Sequence, residues 1–314
     1  MEIVNFLLTG EGMSFKSFIK KSFLGNYLIS LSHCVRCKIE PALISDEKAV
    51  KKYYKKTFGK ELDLDNPTTF TEKTNWYKLN NRNPLMAKCA DKVAVRDYIK
   101  EKGYGDCLNE IIGVYDRVNE IDFDSLPDQF VIKASHGSHM SYIVKDKSSF
   151  DWKNAKKMMK TWLHQNIYWS GREWVYKDIP KRIIIEKYLE DENGELRDYK
   201  FYCFNGKPDF IQYDIGRYSH HYRNFYDLEF NALPFKNGCE QNFEIDIEKP
   251  NSLQKMITIA KVLAEPFQFA RVDFYSVYNR IVFGEITFFH EGGSTPFEPN
   301  EYEEIIGNKW RLVK

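Results

Sequence analysis

Arg271-Val272-Asp273-Phe274-Tyr275 and, past a polar turn at Tyr278-Asn279-Arg280, Ile281-Val282-Phe283-Gly284-Glu285-Ile286-Thr287 form the stretch that decides the fold. Two β-rich runs joined by a short turn read as a hairpin, and each carries one carboxylate in an apolar setting. Burying a carboxylate is costly unless a cation or hydrogen-bond donors meet it. Asp273 and Glu285 are therefore expected to share something positive, and a divalent metal is the best fit. Arg271 lies two residues before Asp273 and so points to the same strand face, because side chains alternate with period two. An acid pair beside an arginine suits a metal–phosphate site better than ordinary packing.

Working outward, the region before this hairpin alternates helices and strands. Residues 249–264 carry Leu253, Met256, Ile257, Ala260 and Leu263 at helical spacing, a core-facing stripe. Asp198–Phe204 and Pro208–Tyr213 flank Asn205-Gly206, a dipeptide that favours a type I′ hairpin turn. Arg182–Leu189 is a continuous apolar strand ending in charge, and Gln129–Lys133 is a short one following Ser125-Leu126-Pro127-Asp128. Between Lys133 and the strand Tyr142–Lys145 lies a small polar loop, Ala134-Ser135-His136-Gly137-Ser138-His139-Met140-Ser141. Its backbone N–H groups and hydroxyls can line an anion while Lys133 supplies charge. Further upstream, helices are expected over Ala49–Lys60, after an N-cap at Thr69 or Thr71, and over Asp91–Lys100. The pattern is α+β with mainly antiparallel hairpins, and without internal repeats.

Composition sets the class. At 314 residues the chain can bury a substantial core. Forty-six Lys and Arg against 45 Asp and Glu leave no field of the kind a nucleic-acid binder uses. Six cysteines stand at 34, 37, 89, 107, 203 and 239. Only Cys34–Cys37 has a metal-like spacing, and zinc needs a second such pair. Reduced cysteines of a cytoplasmic protein are expected. Residues 1–60 hold 11 Lys and Arg against 5 Asp and Glu. Within them Phe15, Phe18, Ile19, Phe23, Tyr27 and Leu31 recur at helical spacing. That stripe suits an interfacial helix at the inner face of an anionic membrane. It equally suits a helix docked on the protein's own core, the commoner fate. The apolar run is too short to span a bilayer, and no signal-peptide cleavage pattern follows it.

The order Lys133, polar loop, Glu186–Leu189, Arg271-Val272-Asp273 and Gly284-Glu285-Ile286-Thr287 resembles that of ATP-grasp ligases. Asn83-Pro84-Leu85, Ala90-Asp91-Lys92, Arg197-Asp198-Tyr199-Lys200 and Cys203-Phe204-Asn205-Gly206 narrow the likeness. With them, the chain is similar to the TupA-like (teichuronopeptide-biosynthesis) ATP-grasp proteins of bacterial surface-polysaccharide loci. The resemblance covers roughly residues 60–307.

The resemblance implies a nucleotide held between two α+β lobes. The expected organisation is a basic amphipathic region (1–60), a preceding region (61–125), a small lobe with the phosphate loop (126–190) and a C-terminal lobe with the metal site (191–314). It implies ATP and Mg²⁺, with Asp273, Glu285 and Thr287 as metal ligands; Thr287 stands where the family usually has Asn. Lys133 and Arg96 become phosphate ligands, and Ser135, His136, Gly137 and Ser138 the closing loop, with His136 and His139 either substrate contacts or exposed loop residues. Glu186, Lys187, Tyr188 and Leu189 become the adenine-holding strand, Asp198 the ribose acid, and Lys200 a further phosphate ligand or an exposed lysine. Arg271 and Lys133 would be catalytic, and Arg271, His290, Gly292 and Gly293 would meet the second substrate, unless the glycine pair is an ordinary turn. The implied reaction joins a carboxylated sugar such as a uronic acid to an amino acid through an acyl phosphate, in polysaccharide biosynthesis. A sugar kinase or a glycosyltransferase-type protein of the same pathway are the rival readings.

Overall fold

Helix caps open the described part of the chain. Ser45 caps α1 (Asp46–Phe58), whose Val50 and Tyr54 face inward. Thr69 caps α2 (Phe70–Asn80) in a capping box: its hydroxyl accepts from Glu72 N at 3.2 Å, and Glu72 Oε2 accepts from Thr69 N at 3.1 Å. Pro84 begins α3 (Pro84–Ala90) behind the N-cap Asn83, a helix the sequence pattern did not disclose. The helix expected from Asp91 begins later, as α4 (Val95–Glu101), because Asp91 folds its carboxylate onto Val93 N in a turn.

The computed structural model describes residues 44–313 except 192, 193, 195, 217–220 and 246, together with Gly25 and Tyr27. The Phe15–Leu31 stripe and the Cys34–Cys37 pair lie outside the described residues. The exception is Tyr27, which packs on the core of the smaller sheet.

That sheet holds β1 (Ile111–Tyr115), β2 (Phe130–Ala134), β3 (Ser141–Val144) and β4 (Ile183–Lys187), all antiparallel, in the order β1-β4-β2-β3. It recruits β1 from before residue 126. Phe130, Ile132, Val144, Ile183 and Ile185 bury one face against α5 (Trp152–His164), and the short α6 (Tyr168–Gly171) follows.

The larger sheet holds β5 (Arg197–Phe204), β6 (Lys207–Ile215) and β7 (Tyr222–Asp227). After the two-residue β8 (Lys236–Asn237) and α7 (Leu253–Ala264), it is completed by β9 (Phe269–Val277) and β10 (Arg280–Thr287). The order is β10-β9-β5-β6-β7, again antiparallel. Both expected turns have positive φ at two successive residues, as type I′ requires: Asn205 and Gly206, then Tyr278 and Asn279. Helix α7 buries Leu253, Met256, Ile259, Ala260 and Leu263 in the main core. β11 (Phe297–Glu298) pairs with β8, and α8 (Glu301–Lys309) packs on α2.

Candidate functional site

Cross-strand register assembles the site on one face of the larger sheet. Thr287 faces Arg271, which faces Tyr202; Glu285 faces Asp273, which faces Lys200. The β9–β10 ladder slips between Phe283 and Glu285. Gly284 is the extra residue, and a Cβ there would meet Asp273 O at 3.0 Å. This bulge brings Glu285 opposite Asp273.

Arg271 sits at the centre. Its Nε donates to Asp273 Oδ1 at 2.8 Å and its Nη2 to Asp273 Oδ2 at 2.6 Å, a bidentate pair. Nη2 also reaches Thr287 Oγ1 at 3.2 Å and Glu285 Oε1 at 3.4 Å. Nη1 donates to His290 Nδ1 at 2.8 Å. Since a guanidinium can only donate, His290 Nδ1 accepts, and its proton sits on Nε2. There it faces Asn237 Oδ1 and the Tyr202 hydroxyl, each at 2.9 Å. Burial, with Arg271 and Arg223 nearby, holds His290 well below the ordinary imidazole value, so it is neutral.

The network runs on across the sheet. Lys200 is 4% exposed, hydrogen-bonds Asp198, and lies 3.1 Å from Asp214 and 3.8 Å from Asp273. Arg223 bonds Asp214 at 3.0 Å and reaches Glu291 at 3.4 Å. Burial opposes ionisation of Asp214, but His221, Lys200 and Arg223 hold it well below the usual carboxylate range. Burial pushes Asp273 up, while Arg271 and Lys200 pull it back down. Burial also acts on Glu285, but Lys92, Arg271 and Lys200 bring it to about 2.

Two further cations, one on the smaller sheet and one in the turn before α4, come next to this network. Lys133 Nζ pairs with Glu186 Oε2 at 2.7 Å across β2 and β4. Lys92 Nζ donates to Gly137 O at 2.8 Å and lies 3.9 Å from Glu285 Oε2, so it ties the polar loop to the acid pair. Sequence reasoning missed Lys92. The Asp91-Lys92 phrase was visible, but the family resemblance pointed to Arg96 as the phosphate ligand.

Several expected ligands have other partners. Arg96 Nη2 bonds Asn109 O at 2.7 Å, although Glu186 is within electrostatic reach. Ser135 Oγ donates to Pro180 O and accepts from Arg182 N. His136 is buried, with Nε2 on the Trp162 carbonyl at 2.9 Å, and burial brings its pKa to about 4, so it is not an exposed loop residue. Ser138 and His139 are exposed. Lys187 already bonds Glu110 O through its backbone N–H, and its carbonyl accepts from Asn109 Nδ2. Lys187 and Tyr188 line an open groove of about 880 Å³ with Ile112, Gln129 and Lys145; Leu189 is half-buried beside them in sequence. Asp198 and Lys200 are buried together in the network, which rules out the exposed-lysine reading.

The glycine pair is filled from within. Glu291, Gly292 and Gly293, in the 3₁₀ turn His290–Gly293, all have positive φ. Gly292 O accepts from Lys78 Nζ at 2.7 Å and Gly293 O from Asn75 Nδ2 at 2.9 Å. A Cβ on Gly293 would meet Asn75 at 2.7 Å. The close approach is therefore to α2 of the chain itself. Lys78, buried, and Glu173, half-buried, also border this turn, and neither stood out in the sequence.

Asp273 and Glu285 offer hard oxygens from one cross-strand pair, with 42% of the Glu285 side chain exposed. Among the described residues, no group of three or more His, Cys, Asp and Glu could hold a metal ion. Mg²⁺ needs only one or two carboxylates when phosphate and water complete its shell, so this donor set fits Mg²⁺ arriving with a phosphate chain. Thr287 Oγ1 accepts from Arg271 and donates to Glu285 Oε1 at 3.3 Å, so it braces both.

The model of the TupA-like ATP-grasp family matches residues 72–311, which takes in both sheets and every residue of this network. The chain belongs to the TupA-like ATP-grasp family. Its two antiparallel sheets with flanking helices are the ATP-grasp fold. Among curated proteins, none matches by sequence. Solved structures similar to this ATP-grasp chain include D-alanine–D-alanine ligase from Bacillus anthracis complexed with ATP, 15% identical over 64% of this chain and 54% of that one, with a TM-score of 0.37. The Helicobacter pylori D-alanine–D-alanine ligase is 14% identical over 71% and 61%, TM-score 0.40. The ATP-grasp ligase PsnB, complexed with minimal precursor, Mg and ADP, is 8% identical over 70% and 58%, TM-score 0.37. The chain thus spans between half and two-thirds of the length of these structures. Among the described residues, no helix is long and apolar enough to cross a membrane.

Proposed function

We propose that this TupA-like ATP-grasp chain is an ATP-dependent carboxylate–amine ligase that forms an amide through an acyl phosphate. One observation carries the reading: Lys92 Nζ lies between Gly137 O of the smaller lobe's polar loop and Glu285 Oε2 of the acid pair. It connects the two halves that a triphosphate must touch. The cations Lys92, Lys133 and Arg271 stand around acids already close to charge balance, so a bare divalent cation is less welcome than one accompanied by phosphate.

Lys133 and Lys92 would bind phosphate oxygens, Lys133 leaving Glu186 as it does so. Asp273 and Glu285 would hold Mg²⁺, which spreads the negative charge of the β- and γ-phosphates when bound. Arg271, fixed by Asp273 and His290, presents a rigid positive charge where the acyl phosphate forms and where its tetrahedral adduct collapses. A buried, pre-oriented guanidinium needs little reorganisation, which makes it effective on charge that develops during reaction. Nothing here requires a covalent protein nucleophile.

The substrates we infer are a uronic acid or another carboxylated sugar and an amino acid, for surface-polysaccharide synthesis at the inner side of the cell membrane. The decisive experiment incubates the purified chain with Mg-ATP, glucuronate or galacturonate, and a panel of amino acids, following ADP and the product mass. Amide product with ADP supports the ligase. A stable phosphorylated sugar formed without amine replaces it with a kinase, and binding of a UDP-sugar but not ATP replaces it with a glycosyltransferase-type protein.

A further inference from the structure

Arg172, immediately before Glu173, is a buried non-glycine residue at φ +56°. Its Nη1 bonds Asp46 at 3.2 Å, and its guanidinium lies over the Trp169 ring at 4.9 Å. Such a backbone persists only where the surroundings over-determine it. The anchor sets the start of the 3₁₀ turn Trp174–Tyr176 and aims Glu173 at the His290–Gly293 turn. Glu173 Oε1 comes 3.5 Å from where a Cβ on Gly292 would sit and 3.0 Å from one on Gly171, so both glycines leave it room. Lys78 holds the Gly292 carbonyl from α2. Among the described residues, the Glu173 carboxylate itself has neither a hydrogen-bond partner nor an ion-pair partner.

The Glu173 carboxylate is half-buried, reachable from solvent and uncommitted to any protein donor among the described residues, and it lies beside the turn that begins at His290, the partner of Arg271. We propose that Glu173 is the catalytic base of the second half-reaction, taking a proton from the ammonium group of the amine substrate. This deepens the ligase reading and rests on it. An ammonium nitrogen has no lone pair to attack with. Transfer of one proton to Glu173 frees it; the nitrogen then bonds the acyl carbon, and the carbonyl π pair moves onto oxygen. Collapse of that adduct breaks the carbon–oxygen bond to phosphate, which leaves with the electron pair and takes up the second nitrogen proton.

The groups facing Glu173 suit this role. Burial pushes it up to about 7, Lys78 from α2 pulls down, and Glu291 and Glu285 from the far side push up. Tyr176, on the same turn, lies within electrostatic reach of Glu173, Glu285 and Arg271, and stays protonated. A base titrating near neutrality accepts a proton readily and can return it.

The test uses the full chain with Mg-ATP and glucuronate or galacturonate. Hydroxylamine, already unprotonated at neutral pH, serves as an amine that needs no base; glycine serves as one that does. Glu173→Gln should form hydroxamate at the unaltered rate while losing glycine amide about 10²-fold or more. In the unaltered chain, amide formation should fall as pH drops through about 7, and the variant should lack that limb. Amide formation by the variant at the unaltered rate overturns the proposal. Loss of hydroxamate and amide together also overturns it, since Glu173 then acts on the first step or on the fold. No hydroxamate or amide from the unaltered chain overturns the ligase reading, and this inference with it.

Discussion

Arg271 Nη1 donates to Nδ1 of a neutral, fully buried His290 at 2.8 Å, so an uncharged ring fixes the orientation of the charge at the centre of the site. His290→Phe keeps the ring packing on Phe70, Tyr202 and Phe297 but removes the acceptor. Asn237 Oδ1 would also lose one of its two donors, keeping Arg223 Nη1 at 3.3 Å, at a cost of about 1 kcal/mol. The variant should melt lower and turn over ATP about 10²-fold more slowly, with KM for ATP little changed. Steady-state ADP release and a thermal melt measure the two effects separately.

Lys92 and Arg96 should separate nucleotide binding from stability. Lys92→Met removes the cation between Gly137 O and Glu285, and should weaken ATP binding by about 10-fold or more. Arg96→Met removes a guanidinium committed to Asn109 O, and should lower stability with a smaller effect on ATP. Calorimetric nucleotide titration of both variants tests the contrast. Equal losses of affinity would return Arg96 to the phosphate site.

This contrast marks where the sequence stops being legible. The β9–β10 hairpin and its acids were readable because strand alternation and a two-residue turn are local rules. So were the capping box at Thr69 and the Asn205-Gly206 turn. Seeing that Lys92 lies beside Gly137 and Glu285 while Arg96 turns to Asn109 requires knowing that the chain turns at Asp91 before α4 begins, and that Arg182 anchors Asp91 from 91 residues away at 2.7 Å. Gly292 and Gly293 looked open because Asn75 and Lys78, which claim their carbonyls, are more than 200 residues distant. Lys200 read equally as a phosphate ligand or an exposed lysine because its neighbours Asp214 and Asp273 come from other strands. Local pattern determines which element forms; tertiary partners decide which polar side chains remain for a ligand.

Asp273 and Glu285 should fail differently when neutralised. Asp273→Asn breaks the bidentate pair and leaves Arg271 under-balanced in a buried setting, so it should lose Mg-ATP turnover and about 3 kcal/mol of stability. Glu285 is more open, so Glu285→Gln should lose turnover with little change in melting temperature. EDTA should abolish turnover in the unaltered chain, and excess Mg²⁺ should restore it. Full turnover in both variants would move the metal site elsewhere.

Lys78 should give stability a distinctive pH dependence. Burial lowers it from 10.5 to about 8. Between those values the folded chain has released a proton that the unfolded chain keeps, so stability contributed at this position rises with pH. The gain between pH 8 and 9.5 is about 2 kcal/mol. Denaturant titrations at both pH values, on the unaltered chain and on Lys78→Met, isolate the term: the variant should lack this rise, whatever other groups add.

Gly307 joins α8 to the start of α2 with no space for a side chain. A Cβ there would lie 2.2 Å from Thr68 O and 3.0 Å from Phe70 N, and backbone atoms cannot swing aside. The same junction is held by Glu303, which accepts from Thr71 N at 3.0 Å, Thr71 Oγ1 at 2.6 Å and Phe297 N at 2.9 Å. Gly307→Ala must push α8 away from these donors, so it should cost about 3 kcal/mol, more than a helix-propensity gain of about 1 kcal/mol can offset. Because α2 also supplies Asn75 and Lys78 to the His290–Gly293 turn, the shift should reach the site. Denaturant unfolding should show the loss, and ADP release well below the melting transition should show reduced turnover. Unchanged stability would mean that α8 can slide along α2 without disturbing the Glu303 contacts.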